Sequence, residues 1–137
     1  GKVWQVGVRD PFEPTEILGT LTMTDGMAVA TSGHYEKFVT IDGTRYAHII
    51  DPRTGRPVTG MAGVTVVSDR AVEADALSTA FFVLGMRDSL PVLASLPHCG
   101  ALFVPDVRPV QVYLTAGFAQ RFSPAARVVG RVRLLAP

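Results

Sequence analysis

The stretch that decides the fold is Val64-Thr65-Val66-Val67, followed by Ala71-Val72-Glu73-Ala74-Asp75-Ala76-Leu77-Ser78-Thr79-Ala80-Phe81-Phe82-Val83-Leu84-Gly85. The first part is a short β-branched apolar run, which predicts a buried strand. In the second, Leu77, Phe81 and Leu84 recur at helical spacing, and Gly85 can stop the helix, so a helix is predicted over residues 71–84. A second helix is predicted over residues 89–96, with Pro91 tolerated in its first turn.

Working outward, the flanks read as strands. Residues 3–8 form one, closed by the turn Asp10-Pro11 and a loop through Pro14. Residues 17–23 form the next, with Asp25-Gly26 as a hairpin turn into residues 27–31. Residues 38–41 and 44–50 flank Asp42-Gly43, a second hairpin signal. Beyond the helices, residues 101–104 and 110–114 pair across a turn containing Pro105-Asp106. Strands, then two helices, then strands predict an α+β fold with a largely antiparallel sheet and two packed helices.

Composition narrows the class. A chain of 137 residues fits one domain and is long enough for a real core. Its 47% hydrophobic content and mean hydropathy of +0.28 argue for an ordered chain. No apolar run approaches the roughly 18 residues that span a bilayer, so no membrane crossing is expected. Gly-Lys-Val-Trp-Gln-Val-Gly-Val at the start is strand-like, without the layout of a signal peptide. A net charge of +1 is too small to imply nucleic acid or an anionic surface. Arg127, Arg131 and Arg133 alternate with apolar residues as on a strand with one solvated face, and no aromatic stacking pattern accompanies them. The single Cys99 cannot form an internal disulfide.

Two segments carry chemistry. Tyr46-Ala47-His48-Ile49-Ile50-Asp51-Pro52-Arg53-Thr54-Gly55 ends an apolar strand in a polar turn whose backbone N–H groups can face an anion. His48 is either a structural histidine or, beside a bound phosphate, a general base or acid, since imidazole changes charge near neutral pH. Asp75 and Thr79 lie at i and i+4 and share one helical face, so they can present two hard oxygens to one small cation. Mg²⁺ prefers such ligands alongside phosphate oxygens. The same residues also have ordinary roles, Asp75 against the helix dipole and Thr79 bonding back to the previous turn. Two side chains do not complete an octahedron, so waters, substrate phosphates or another segment supply the rest. Thr31-Ser32-Gly33 ends a strand where backbone can approach a ligand. Tyr35, Tyr46, Phe81 and Phe82 either line a pocket for a flavin or a base or, as most aromatics do, pack the core.

Together these segments resemble the ApbE family, the FAD:protein FMN transferases. The resemblance runs from Gly1-Lys2-Val3-Trp4-Gln5-Val6-Gly7-Val8 with Asp10-Pro11, through Thr31-Ser32-Gly33-x-Tyr35 and Gly43, to His48-Ile49-Ile50-Asp51-Pro52-Arg53-Thr54-Gly55-x-Pro57. It continues through Val64-Thr65-Val66 and Ala74-Asp75-Ala76-Leu77-Ser78-Thr79-Ala80 to Val83-Leu84-Gly85, and covers the chain to about Gly117.

The resemblance implies a Mg²⁺-dependent enzyme that cleaves FAD, attaches FMN to a threonine or serine of a partner protein, and releases AMP. It implies His48 as the catalytic histidine, Asp75 and Thr79 as metal ligands, and Ser32, Gly33, His48, Ile49, Ile50 and Asp51 along the FAD. It implies a bacterial cell-envelope or periplasmic location. Family members also have an N-terminal half that contributes to the flavin and metal sites, so residues 1–137 are expected to be a single domain forming the C-terminal part, with that half absent. Mg²⁺-dependent FAD hydrolysis and a non-catalytic FAD-binding module are the rival functions.

Overall fold

The β-branched run at Val64 is the middle of an eight-residue strand, Met61–Ser68, buried along its whole length. The computed structural model describes residues 1–35 and 37–136. In chain order these form β1 (Val3–Arg9), β2 (Ile17–Thr24), β3 (Ala28–Gly33), β4 (Phe38–Ile41), β5 (Thr44–Ala47), β6 (Ile50–Asp51) and β7 (Arg56–Pro57). The buried strand is β8 (Met61–Ser68), followed by α1 (Ala71–Ala94), β9 (Gly100–Pro105), β10 (Val112–Thr115) and the single turn α2 (Ala116–Ala119). The chain closes with β11 (Phe122–Pro124), a 3₁₀ turn at Val129–Arg131, and β12 (Val132–Leu135).

Two sheets and a helix make three layers. A five-stranded sheet of order β12-β10-β9-β8-β3 is antiparallel except where β12 runs parallel to β10. A three-stranded sheet, β1-β2-β11, covers one of its faces and α1 the other. The period of two along β9 divides its side chains between the layers. Leu102 and Val104 join the core beneath the small sheet with Leu18, Leu21 and Phe118; Ala101 and Phe103 join the core beneath α1 with Phe81 and Phe82. Strands covered on both faces read as unbroken apolar runs. The expected α+β architecture with mostly antiparallel pairing is what forms.

Helical geometry stops at Gly85 as expected, but the second half starts there and not at residue 89, so Pro91 lies inside it. Gly85 itself has φ 78° and ψ 174°, outside helical geometry and open to glycine at little steric cost. That break reverses the chain: 24 residues of straight helix would span about 36 Å, yet His98, just beyond the end, lies 2.8 Å from Glu73 in the first turn. The packed face is also rotated. Ala74, Ser78, Phe81 and Phe82 are buried, while Leu77 and Leu84 flank them half-buried. By length and apolarity alone α1 would suffice to cross a bilayer. Its break, its proline and the burial of Phe81, Phe82 and Leu93 in the domain core mark it instead as a packed core helix.

Two further expectations need correction. Asp25-Gly26 does not close a hairpin, because β2 stays in the small sheet while β3 pairs with β8 in the large one. Arg127 does not sit on a solvated strand face. It precedes the 3₁₀ turn and reaches Asp10, whose carboxylate is 1% exposed, at 2.8 Å, and it also donates to the Ile17 carbonyl. Asp10 is the hub of its corner, accepting from the N–H groups of Phe12 and Glu13 as well. Removing the cation from a buried carboxylate is costly. Arg127→Met should lose about 3 kcal/mol, the lower end for breaking a buried pair, because two backbone N–H groups still hold Asp10. Urea unfolding checks this, and a loss no larger than that of an ordinary surface substitution would show that the pair does not hold the corner.

Candidate active site

The register of β3 on β8 pairs Ser32 with Val64, which faces α1, and so turns the Ser32 hydroxyl toward the helix. Ser32 Oγ lies 3.0 Å from Ser78 Oγ and 3.0 Å from Thr79 Oγ1. Ser78 Oγ donates to the Asp75 carbonyl at 3.0 Å. A hydroxyl has one proton to give, which fixes the direction of the chain: Thr79 donates to Ser32, Ser32 to Ser78, and Ser78 to the helix backbone. Thr79 is left with oxygen lone pairs to offer. The contact from Thr79 Oγ1 to the Asp75 carbonyl, at 3.5 Å, is long for a hydrogen bond and competes weakly.

Asp75 stands one turn earlier on the same face and is exposed. Its carboxylate has no hydrogen-bond or ion-pair partner among the described residues. It and Thr79 open onto a cavity of about 530 Å³. The opposite wall comes from the β4–β5 hairpin and the chain leaving it, with His48, Ile49 and Ile50, and Lys37 at the hairpin's start. His48 is held twice by one group: its backbone N–H donates to the Lys37 carbonyl at 3.3 Å, and its Nδ1 lies 3.0 Å from the same oxygen. A carbonyl only accepts, so Nδ1 carries a proton and Nε2 is the nitrogen that can take one up. Ile49, the next residue, is buried in the core under α1 and anchors the segment.

Ser32, Gly33, His48, Ile49, Ile50, Asp75 and Thr79 all line this cavity; Asp51 does not. Its carboxylate accepts from the Arg53 backbone N–H at 2.8 Å, from Nε at 3.0 Å and from Nη2 at 2.9 Å, beside a different cavity. The Asp51 carbonyl accepts from the Gly55 N–H at 2.8 Å, and Arg53 Nη2 reaches the Val83 carbonyl at 3.4 Å. Asp51 therefore builds the loop, and Arg53 reaches from it to α1 just before the break. Of the aromatics, Tyr35 lines the main cavity, Tyr46 the other one, and Phe81 and Phe82 are core. Gly33 packs so close to the Tyr35 ring that a Cβ there would force the ring to shift. Lys37 is the one lysine or arginine among the described residues that line the cavity; no motif marks it in the sequence, and the fold of the hairpin brings it there.

A three-layer α+β domain whose cavity gathers a carboxylate, hydroxyls, an imidazole and a lysine suits the handling of a phosphate-bearing ligand. The ApbE family profile matches residues 1–103, and the chain belongs to that family. It is 40% identical over 134 residues to the FAD:protein FMN transferase of Treponema pallidum, covering 96% of this chain and 33% of that protein. The Rhodobacter capsulatus FAD:protein FMN transferase is 40% identical over 103 residues, covering 75% of this chain and 20% of the relative. Among solved structures, the ApbE protein of Thermotoga maritima superposes with a TM-score of 0.78 at 35% identity, over 90% of this chain and 39% of that one. The apo flavinyl transferase ApbE of Pseudomonas stutzeri gives 0.65 at 32% identity, over 90% and 38%. The chain thus spans well under half the length of these relatives.

The Asp51–Arg53 latch has a pH signature. Side-chain and backbone hydrogen bonds from Arg53 hold the Asp51 carboxyl below the ordinary aspartate range. A carboxylate whose folded pKa is depressed contributes stability above its unfolded pKa and loses it as pH falls through the folded one. The latch should therefore persist through neutral and mildly acidic pH and release only in strong acid. NMR titration of Asp51 should show the depressed value, and Arg53→Ala should raise it part of the way, because the backbone N–H of residue 53 still donates to the carboxylate. An unchanged value in the variant would mean that Arg53 is not its cause.

Proposed function

We propose that this chain carries part of the active site of a Mg²⁺-dependent FAD:protein FMN transferase, which moves FMN from FAD to a threonine or serine hydroxyl of a partner protein and releases AMP. The observation that supports it most is the meeting, in one cavity, of a histidine whose Nε2 can accept a proton with a hydroxyl of α1 and a carboxylate of α1 that has no partner among the described residues. Names of relatives similar over three quarters or more of this chain point the same way. Because those proteins are longer, this chain is assigned one part of the flavin and metal sites, as the C-terminal part of the whole.

In this mechanism His48 Nε2 takes the proton from the acceptor hydroxyl as its oxygen bonds to the FMN phosphorus. The bond from that phosphorus to the bridging oxygen breaks, and the electron pair leaves with AMP. The Lys37 carbonyl keeps Nδ1 protonated and the ring in place throughout. The Lys37 side chain brings positive charge to the wall where phosphate oxygens would lie. Ser32, Gly33, Ile49 and Ile50 shape the wall along the flavin nucleotide, and Asp51 holds the loop that carries it. Asp75 and Thr79 have the hard oxygen donors that Mg²⁺ takes, and the hydroxyl chain through Ser32 leaves the Thr79 lone pairs outward for that purpose. Bound there, Mg²⁺ would neutralise pyrophosphate charge and ease departure of the leaving group.

The test is FMN transfer in the complete protein, with FAD, Mg²⁺ and a threonine-bearing acceptor, read as covalent flavin by mass spectrometry. His48→Ala should lower the transfer rate by about 10²–10⁴-fold with little change in FAD affinity. Asp75→Ala should raise the Mg²⁺ concentration needed for half-maximal rate. Undiminished transfer by His48→Ala would remove the base assignment. Free FMN without covalent product would support hydrolysis instead, and FAD binding without either product a non-catalytic module.

A further inference from the structure

Asp75 faces the cavity described above, and Glu73, two residues earlier, points off another side of the helix. Its carboxylate meets the turn that follows α1. Glu73 Oε2 accepts from His98 Nε2 at 2.8 Å and from Cys99 Sγ at 3.5 Å, and also from the Ser68 hydroxyl at the end of β8. One ligand atom from each of Glu73, His98 and Cys99 lies within 4.8 Å of the other two. A separate cavity of about 280 Å³ opens beside Ser68, Asp69, His98 and Cys99, and none of its lining residues belongs to the phosphate-type cavity. Cys99 is buried, while the His98 ring is 39% exposed and has room to turn.

We propose that Glu73, His98 and Cys99 form a zinc site, with the fourth position open to water from the adjoining cavity. The donor set decides the metal. A thiolate, an imidazole and a carboxylate together suit Zn²⁺, whereas Mg²⁺ takes oxygen ligands and keeps its waters. Bond lengths of about 2.3 Å to sulfur and 2.0–2.2 Å to nitrogen and oxygen set tetrahedral ligand separations of roughly 3.3–3.7 Å. The sulfur–carboxylate distance of 3.5 Å is already in that range, and the 2.8 Å histidine–carboxylate distance needs only a small outward turn of an exposed ring. Binding sends the Cys99 thiol proton and the His98 Nε2 proton to solvent, and the ring binds as neutral imidazole with its one remaining proton on Nδ1. A thiolate and a carboxylate then neutralise the divalent charge. The site ties the first turn of α1, two residues from Asp75, to the connection into β9, and so locks the two halves of the helix against each other.

The full chain, stripped of metal with a chelator, tests this with Co²⁺ as a spectroscopic stand-in for Zn²⁺. One Co²⁺ per chain should bind with a thiolate-to-cobalt charge-transfer band and tetrahedral visible absorption, and Zn²⁺ should displace it. Cys99→Ser should abolish the charge-transfer band. His98→Ala and Glu73→Gln should each weaken affinity at least about tenfold, because even partners that only orient a ligand are worth that much. Zn²⁺ should also slow alkylation of the native chain, whose single cysteine makes the readout unambiguous and needs no variant. Absence of the band, its survival in Cys99→Ser, or alkylation indifferent to Zn²⁺ would each overturn the site and leave the cluster as a hydrogen-bonded clasp.

Discussion

The registry of β3 on β8 is the constraint on which the rest of the structure depends. With Ser32 opposite Val64, the even-numbered residues of β8 at that point face α1, and Ser32 faces it with them. A slip of one residue would reverse every side chain on the strand. It would set the Ser32 hydroxyl among the apolar side chains under the small sheet and take it from Thr79 and Ser78. Thr31 and Thr65, paired in the same register, hold it further through a hydroxyl–hydroxyl contact of 2.8 Å. Because β8 is buried on both faces, neither layer can give way to accommodate an alternative pairing.

Upon that frame the helix serves two different chemistries from its first two turns. One side carries the hard oxygens of Asp75 and Thr79 toward the cavity shared with His48. The other carries Glu73 into a cluster with a thiol and an imidazole. The hydrogen bonds from Ser68 and His98 keep the Glu73 carboxyl low and hence ionised, while burial pushes the Cys99 thiol up and keeps it protonated without a metal. The break at Gly85 makes the second cluster possible, because only a reversal of the helix returns residues 98 and 99 to its first turn. Arg53 fastens the histidine-bearing loop close to that same break, so the loop and the bend are tied into one unit.

Much was legible in the chain itself. An unbroken apolar run marked β8, helical spacing marked α1, and the turn chemistry of Asp42-Gly43 marked the β4–β5 hairpin. The quoted motifs also held the residues that gather at the main cavity. Asp51 illustrates the limit of such inference. Its neighbours in sequence line the cavity, but Arg53, two residues on, captures its carboxylate and turns it to loop building, and nothing in the spelling of the segment says which partner wins.

By itself the sequence determined the local elements, the α+β class, and the presence of a base, a carboxylate and hydroxyls at spacings suited to phosphate chemistry, because hydrophobic period and helical spacing are properties of neighbours along the chain. The tertiary structure alone decided that Asp25-Gly26 sends the chain between sheets, that Arg127 closes on Asp10, that Lys37 holds the His48 tautomer, and that Glu73 meets His98 and Cys99. Each of these joins residues remote in the chain or on different elements. Their meeting depends on burial and on satisfying polar groups in three dimensions, and no pattern of adjacent residues encodes that.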